Sequence, residues 1–323
     1  MKTSAAIAAA AVTMDKGGEH AVALSACALS LWIGMWVVLP SATLWLPSVL
    51  FGLPRGLALT CGIWATLANA PPLPRRVAFI KFLQRMTDWF PRHAIANEAG
   101  LRRAPGAKPA VFAHHPHGVV AINCLAVGSR ADCRAVVSDI CFQMPFNRQL
   151  MQTVGGIGAR RETVAAEMRR GVDLAVIPGG IDEVVLADPV HERVFLKRRF
   201  GFVKLALERG YDLVPVYHLG ESQMYGMLPL QRWGPILRCR LWMTKRFSLP
   251  FGFGVGAWFC PVLPRRVPCV SAVGEPVVLP KIDNPTRADV AKYHALYVKA
   301  LVATYNEHRH LLPAYAGKDL EVW

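Results

Sequence analysis

The stretch 162–180, ETVAAEMRRGVDLAVIPGG, sets the reading of the fold. Glu162–Arg170 spaces its apolar residues as a helix does and ends at Gly171, a residue suited to the left-handed turn that closes helices. Val172–Ile177 is then an apolar run too short for a helix, bounded by Pro178-Gly179-Gly180, and reads as a strand. The pattern continues in both directions. Ala110–His115 and Ala135–Ser138 read as strands upstream, while Gly201–Arg209 reads as a helix closed by Gly210 and followed by a strand over Asp212–Tyr217. Thr286–His310 is the longest helical pattern, with Val290, Tyr293, Leu296, Tyr297, Ala300, Leu301 and Tyr305 as its apolar stripe. Strands alternating with helices, without an internal repeat, predict an α/β layered domain.

Composition sets that domain in a membrane context. Of 323 residues, 53% are hydrophobic and 18% charged, where average usage is about a quarter charged. That excludes a disordered chain and argues against an ordinary cytosolic protein. The net charge of +15 is unevenly placed: residues 1–54 hold Lys2, Lys16, Asp15 and Glu19, which cancel, so the excess belongs to the rest. An apolar head on a basic body suits a membrane-anchored protein that meets anionic headgroups or an anionic substrate. The eight cysteines form no Cys-x-x-Cys and two lie in apolar N-terminal segments, so neither a disulfide scaffold nor a zinc ribbon is expected. They read as free thiols facing a reducing cytosol.

No charge occurs from Ala21 to Pro54. Ala21–Leu39 is long enough to cross a bilayer core, about 28 Å at 1.5 Å per residue. Gly56–Ala70 is a shorter uncharged run that ends at Pro71-Pro72. A transmembrane hairpin accounts for both, and Lys16 before it with Arg75, Arg76, Lys81 and Arg85 after it put both ends in the cytosol. Arg76–Phe90 carries Phe79, Ile80, Leu83, Met86 and Phe90 at helical spacing, which predicts a helix in the headgroup plane. Between residues 232 and 266, Trp233, Trp242, Phe247, Phe251, Phe253, Trp258 and Phe259 are interleaved with Arg238, Arg240, Lys245, Arg246, Arg265 and Arg266. Such a mixture can stack bases, but beside a membrane anchor it reads as a lipid-facing surface, and no nucleic acid is expected as a partner. The organisation is thus a cytosolic tail over 1–20, a membrane hairpin over 21–72 and a folded domain over 73–323.

Phe112-Ala113-His114-His115-Pro116-His117-Gly118 holds the densest candidate chemistry. His114 and His115 would point to opposite faces of a strand, and no nearby carboxylate or cysteine completes a ligand set, so no metal is expected. A histidine at a strand's C-terminal end, fixed by Pro116 and Gly118, is well placed as a general base. No Gly-x-Ser-x-Gly elbow, zincin motif or phosphate loop is present. Cys124 and Cys141 are not favoured as nucleophiles.

Here the residues carry a resemblance. His115-Pro116-His117-Gly118 resembles the His-Pro-His-Gly signature of the type-2 diacylglycerol acyltransferase family, which includes monoacylglycerol acyltransferases and wax-ester-forming relatives. Gly179-Gly180-Ile181-Asp182-Glu183 is similar to its Gly-Gly-x-x-Glu segment, and Arg199–Ala206 to its Arg-x-Gly-Phe-Val-Lys block. Leu213–Tyr217 with Gly220-Glu221 and Tyr225, then Val273–Pro276 and Tyr293-His294-x-x-Tyr297, follow in the same order.

The resemblance implies a glycerolipid-acyltransferase-like domain over 73–323 that moves an acyl group from acyl-CoA to diacylglycerol. The implied acceptor alternatives are monoacylglycerol and a long-chain alcohol; from another class, the alternative is a non-catalytic membrane lipid-binding protein. Acyl-CoA is then a substrate and no cofactor is needed. The expected setting is the endoplasmic reticulum membrane with a cytosolic catalytic domain, lipid-droplet association and self-association being left open. His117 is the implied base, with His115 sharing or supporting its role. Related glycerolipid enzymes orient that histidine through His-x-x-x-x-Asp, but here Ile122 stands five after His117. Glu183 is the candidate to replace the missing carboxylate, with Asp182 as the fallback. Arg161, Arg199 and Lys204 are candidates for the phosphates of CoA.

Overall fold

The structure is a computed structural model that describes residues 19–34, 39–102, 104, 106–144, 146–227, 233–247, 254–259 and 263–323. Most of the expected tail over 1–20 therefore lies outside the described residues, as do 232, 248–253 and 260–262 of the basic-aromatic segment. Seven strands form the main sheet: β1 His93–Ala96, β2 Ala110–His115, β3 Cys133–Val137, β4 Ile157–Gly158, β5 Asp173–Val176, β6 Asp212–Leu219 and β7 Cys269–Val273. Their order is β1-β7-β6-β2-β5-β3-β4. The run from β6 to β4 is parallel, while β7 is antiparallel to β6 and parallel to β1. The helices are α1 Glu19–Ile33, α2 Leu39–Phe51, α3 Leu53–Asn69, α4 Val77–Gln84, α5 Ile122–Gly128, α6 Ile140–Gln143, α7 Asn147–Val154, α8 Arg161–Arg169, α9 Ile181–Leu186, α10 Gly201–Arg209, α11 Gly234–Phe247 and α12 Arg287–His308. The chain is a mixed α/β fold, with each element named from sequence in the domain body present to within a few residues.

Local chemistry explains these boundaries. Thr286 caps α12: its hydroxyl accepts the Asp289 N–H at 3.1 Å, and the Asp289 carboxylate accepts the Thr286 N–H at 2.9 Å. Gly210 closes α10 at φ +71°, where a side chain is disfavoured. The central strands β2 and β6 are buried along their whole length, as expected for parallel strands covered on both faces. Val111 and Ala113 join a core with Leu213 and Tyr217, Val203 and Leu207 of α10, and Tyr297, Leu301 and Tyr305 of α12. Ala110 and Phe112 join the opposite core with Val127 of α5, Val214 and Val216. This alternation carries into the histidines that end β2.

The N-terminal segment divides differently from its sequence reading. Among the described residues no helix is long and apolar enough to cross a membrane. The first apolar helix ends at Ile33, and its Ala28, Leu29, Trp32 and Ile33 pack on Leu83, Met86, Trp89 and Phe90. The hairpin pairs α2 with α3 instead of residues 21–39 with 56–70. Two prolines are accommodated here: Pro47 lies inside α2, and Pro54 occupies the first turn of α3, where its missing N–H costs nothing. Gly56 lets the two backbones approach, since a Cβ there would overlap the backbone of Ser48. Thr60 donates to the Thr43 carbonyl at 2.6 Å, and Trp64 donates to the Thr43 hydroxyl at 3.0 Å. The expected interfacial helix 76–90 is also corrected. It is α4 followed by a 3₁₀ turn over Arg85–Trp89, and the stripe of Ile80, Leu83, Met86 and Phe90 is buried, because α1 covers it.

Candidate active site

The strands β2, β5 and β6 run parallel, so the loops after His115, Val176 and Leu219 gather at one end of the sheet, where α/β sheets place their sites. The alternation along β2 splits the histidines there. His114 turns to the α5 side and stacks on His218 with ring centroids 5.1 Å apart, its Nδ1 2.9 Å from His218 Nε2. His218 Nδ1 meets the Ser271 hydroxyl at 2.8 Å. Burial, then the neighbouring His115, push the His114 pKa down to about 3, so this ring is neutral. His114 belongs to the interior.

His115 points the other way and is fully buried. Its Nδ1 lies 3.5 Å from Glu183 Oε1, and its Nε2 lies 3.1 Å from the Tyr297 hydroxyl. That hydroxyl in turn donates to the Ala113 carbonyl at 3.3 Å. Both ring nitrogens of His115 are engaged by the protein.

Glu183 reaches this point because of the turn before it. Gly180, at φ +58°, starts α9 immediately after the β5 loop. Gly179 has no room for a side chain, since a Cβ would overlap the Glu183 carboxyl. The carboxylate accepts the His117 N–H at 2.8 Å and the Phe195 N–H at 2.8 Å, so one buried charge ties the loop after β2 to the chain after residue 194. Asp182 faces elsewhere and is paired with Arg199, whose guanidinium also donates to the Gly179 carbonyl at 3.2 Å. The ring that Glu183 meets is that of His115; it holds His117 by the backbone.

The His117 imidazole is half-buried, and its Nδ1 lies 3.1 Å from the Gly118 carbonyl. A carbonyl only accepts, so this contact requires a proton on Nδ1 and leaves the lone pair on Nε2. Burial lowers the His117 pKa, with the Glu183 charge acting in the opposite sense. A neutral imidazole with a free lone pair at the open end of a strand is what a general base requires.

The basic residues are placed unevenly. Arg199 is part of the turn beside Glu183. Arg161 pairs with Glu208 at 2.5 Å and keeps 57% of its side chain exposed, while Lys204 is exposed on α10. Sequence reasoning missed the contacts of Tyr297, Phe195 and the Gly118 carbonyl. Tyr297 sits in an apolar stripe that reads as core, and backbone groups leave no trace in residue types.

Family comparison covers the stretch that carries the motifs. A family model described as diacylglycerol acyltransferase matches residues 75–322. The chain belongs to that family. Diacylglycerol O-acyltransferase 1 of Eremothecium gossypii is 31% identical over 229 residues, covering 66% of this chain and 50% of that protein. Diacylglycerol O-acyltransferase 2 of Xenopus tropicalis is 30% identical over 237 residues, covering 66% of this chain and 64% of that protein. Acyl-CoA wax alcohol acyltransferase 2 of Mus musculus is 30% identical over 213 residues, covering 60% and 64%. The matched regions thus span between half and just under two thirds of these relatives' own length. Among solved structures, the 1-acyl-sn-glycerophosphate acyltransferase PlsC of Thermotoga maritima is similar with a TM-score of 0.45 at 13% identity, covering 85% of this chain and 95% of that one. In this chain, His115–Gly118 and Gly179–Glu183, separated by more than 60 residues in sequence, meet through two hydrogen bonds to Glu183.

Proposed function

We propose that this chain is an acyl-CoA:diacylglycerol O-acyltransferase with His117 as its general base. The observation that carries the reading is the His117 ring: Nδ1 is held by the Gly118 carbonyl, which leaves Nε2 to accept a proton. His115 has both nitrogens engaged and is fully buried, so it supports the loop from within. In the reaction, Nε2 takes the proton of the acceptor hydroxyl as its oxygen attacks the thioester carbonyl. The tetrahedral intermediate collapses, the C–S bond breaks, and the imidazolium returns the proton to the departing CoA thiolate. The thioester is already activated, so no resident cofactor is called for. Membership of the diacylglycerol acyltransferase family supports diacylglycerol as acceptor.

The wax alcohol relative favours a second reading with the same chemistry, in which a long-chain alcohol, or by extension monoacylglycerol, is the acceptor. We place the chain at the endoplasmic reticulum membrane with the domain in the cytosol; exposed Trp45, Val49, Leu50 and Leu53 on the α2–α3 hairpin support membrane attachment. The test is purified full-length protein with labelled oleoyl-CoA and a panel of diacylglycerol, monoacylglycerol and fatty alcohol. The highest kcat/KM is expected with diacylglycerol. Preference for the alcohol selects the second reading, and no transfer to any hydroxyl lipid makes the chain a lipid-binding protein.

A further inference from the structure

Gly220-Glu221 follows β6 at the same end of the sheet, and the acyl-transfer chemistry so far assigns it nothing. Glu221 is only 2% exposed. Its Oε1 accepts the Ile122 N–H at 3.1 Å and its Oε2 accepts the Asn123 N–H at 3.2 Å. These are the first two residues of α5, whose N-cap position is Ala121, at φ +53° and with no side chain able to accept. A helix start leaves its first N–H groups without partners, and here a carboxylate from the turn after β6 accepts two of them. The loop between His117 and α5 is wrapped on that same carboxylate. Gly118 sits at φ +59°, and a Cβ there would lie 2.5 Å from Glu221 Cγ and 2.8 Å from its Oε1. Only glycine allows both the backbone angle and the approach. The Asn123 side chain extends the anchor to β1 through His93 Nε2 at 3.1 Å.

We propose that Glu221 is the positioning residue for His117: by clamping residues 118–123 it fixes the Gly118 carbonyl that holds the imidazole with Nε2 presented. The inference rests on the proposed role of His117 and extends it. Glu183 holds the N–H side of residue 117 and Glu221 holds the loop just beyond it, so the imidazole is set between two buried carboxylates that never touch its ring.

The test uses full-length protein in detergent and two substitutions. Glu221→Ala removes both acceptors and is expected to lower kcat about 100-fold, the loss that a misplaced catalytic group produces. The KM for acyl-CoA should stay within about twofold. Glu221→Gln keeps one acceptor oxygen and should recover kcat to within about tenfold of wild type. In a His117→Ala background, Glu221→Ala should cost little more, because the two residues act as one unit. Glu221→Ala with kcat within twofold of wild type, or additive losses in that cycle, would overturn the proposal.

A readout independent of turnover is the ¹⁵N spectrum of the histidine rings. Wild type should show His117 locked with its proton on Nδ1, and both variants should show that preference weakened. An unchanged His117 signal in the variants overturns the positioning role even if the protein transfers no acyl group. A locked wild-type ring that the variants loosen, in a protein without acyl transfer, upholds Glu221 and overturns only the function. If the alanine variant does not fold, the glutamine variant decides the matter by the same spectrum.

Discussion

His115 and His117 stand two residues apart, yet their surroundings give them different work. Of these two, only His117 has a ring nitrogen without a partner among the described residues, so His117→Ala should lower acyl transfer by about 10²–10⁴-fold, the usual worth of a general base. Membrane recovery and circular dichroism of that variant should match wild type; transfer within about twofold of wild type would move the base elsewhere. The pH dependence carries a second signature. Burial lowers the His117 pKa, so the neutral, active ring is lost only as pH falls below its ordinary value of 6.5. Glu221 shifts the other way, because burial raises it to about 7 against the pull of its two backbone N–H donors. The other groups facing it are the Asn123 side chain, the Cys124 thiol and, through Asn123, His93. Only the carboxylate form accepts both N–H groups, so kcat/KM should fall in two steps on acidification, one near 7 and one lower. Glu221→Gln should abolish the upper step and leave the lower one, as measured in a pH-rate profile.

At the scale of the element, the turn Pro178-Gly179-Gly180 decides where α9 sends its carboxylate. Gly179→Ala places a methyl group where the Glu183 carboxyl lies, and should cost about 100-fold in kcat through displacement of that anchor. Gly171→Ala, at a helix end with open space around it, should cost stability through its φ of +72° but leave kcat of the folded protein unchanged. Urea titration alongside the acyl-transfer assay separates the two outcomes. The turn also marks how far the sequence could be read. The strand 110–115 and the helix 201–209 match residue for residue, because period and glycine closure are local signals. Glu183 was legible as the carboxylate that belongs beside the histidines. Its target was not, because β2 ends at His115 and the chain turns at Pro116, so His117 no longer follows the alternation of the strand. The hairpin shifted for a similar reason: proline marks a helix start as readily as a stop, and only the packing of Gly56 on Ser48 selects between them.

At the scale of the whole molecule, two apolar surfaces are uncovered among the described residues and a third is not. The hairpin exposes Trp45 at 56%, Val49 at 68% and Leu53 at 64%. Trp233, Trp242 and Trp258 are also largely exposed, and on α11 Arg238, Lys245 and Arg246 are exposed near Trp242. Aromatic rings beside basic groups suit a headgroup layer, where rings rest at the boundary and cations meet phosphates. The helix α1, in contrast, gives its apolar side to the core made with Leu83, Met86 and Phe90. Removing residues 1–72 would open that core, so the cleaner excision replaces 39–72 with a Gly-Ser linker and keeps α1. On the proposed membrane attachment, this variant should lose its carbonate-resistant membrane fraction, since it lacks the exposed apolar side chains of the hairpin. It should still float with vesicles containing anionic phospholipid at low salt through the tryptophan and basic surface. That residual binding should weaken between 50 and 500 mM NaCl, as the Debye length shrinks from about 14 Å to about 4 Å. Adding Trp242→Glu should abolish it, since that substitution removes the ring and opposes the anionic surface. Full carbonate resistance of the linker variant would assign the anchor to another surface. Complete solubility at low salt would mean that α11 and its tryptophans meet something other than lipid.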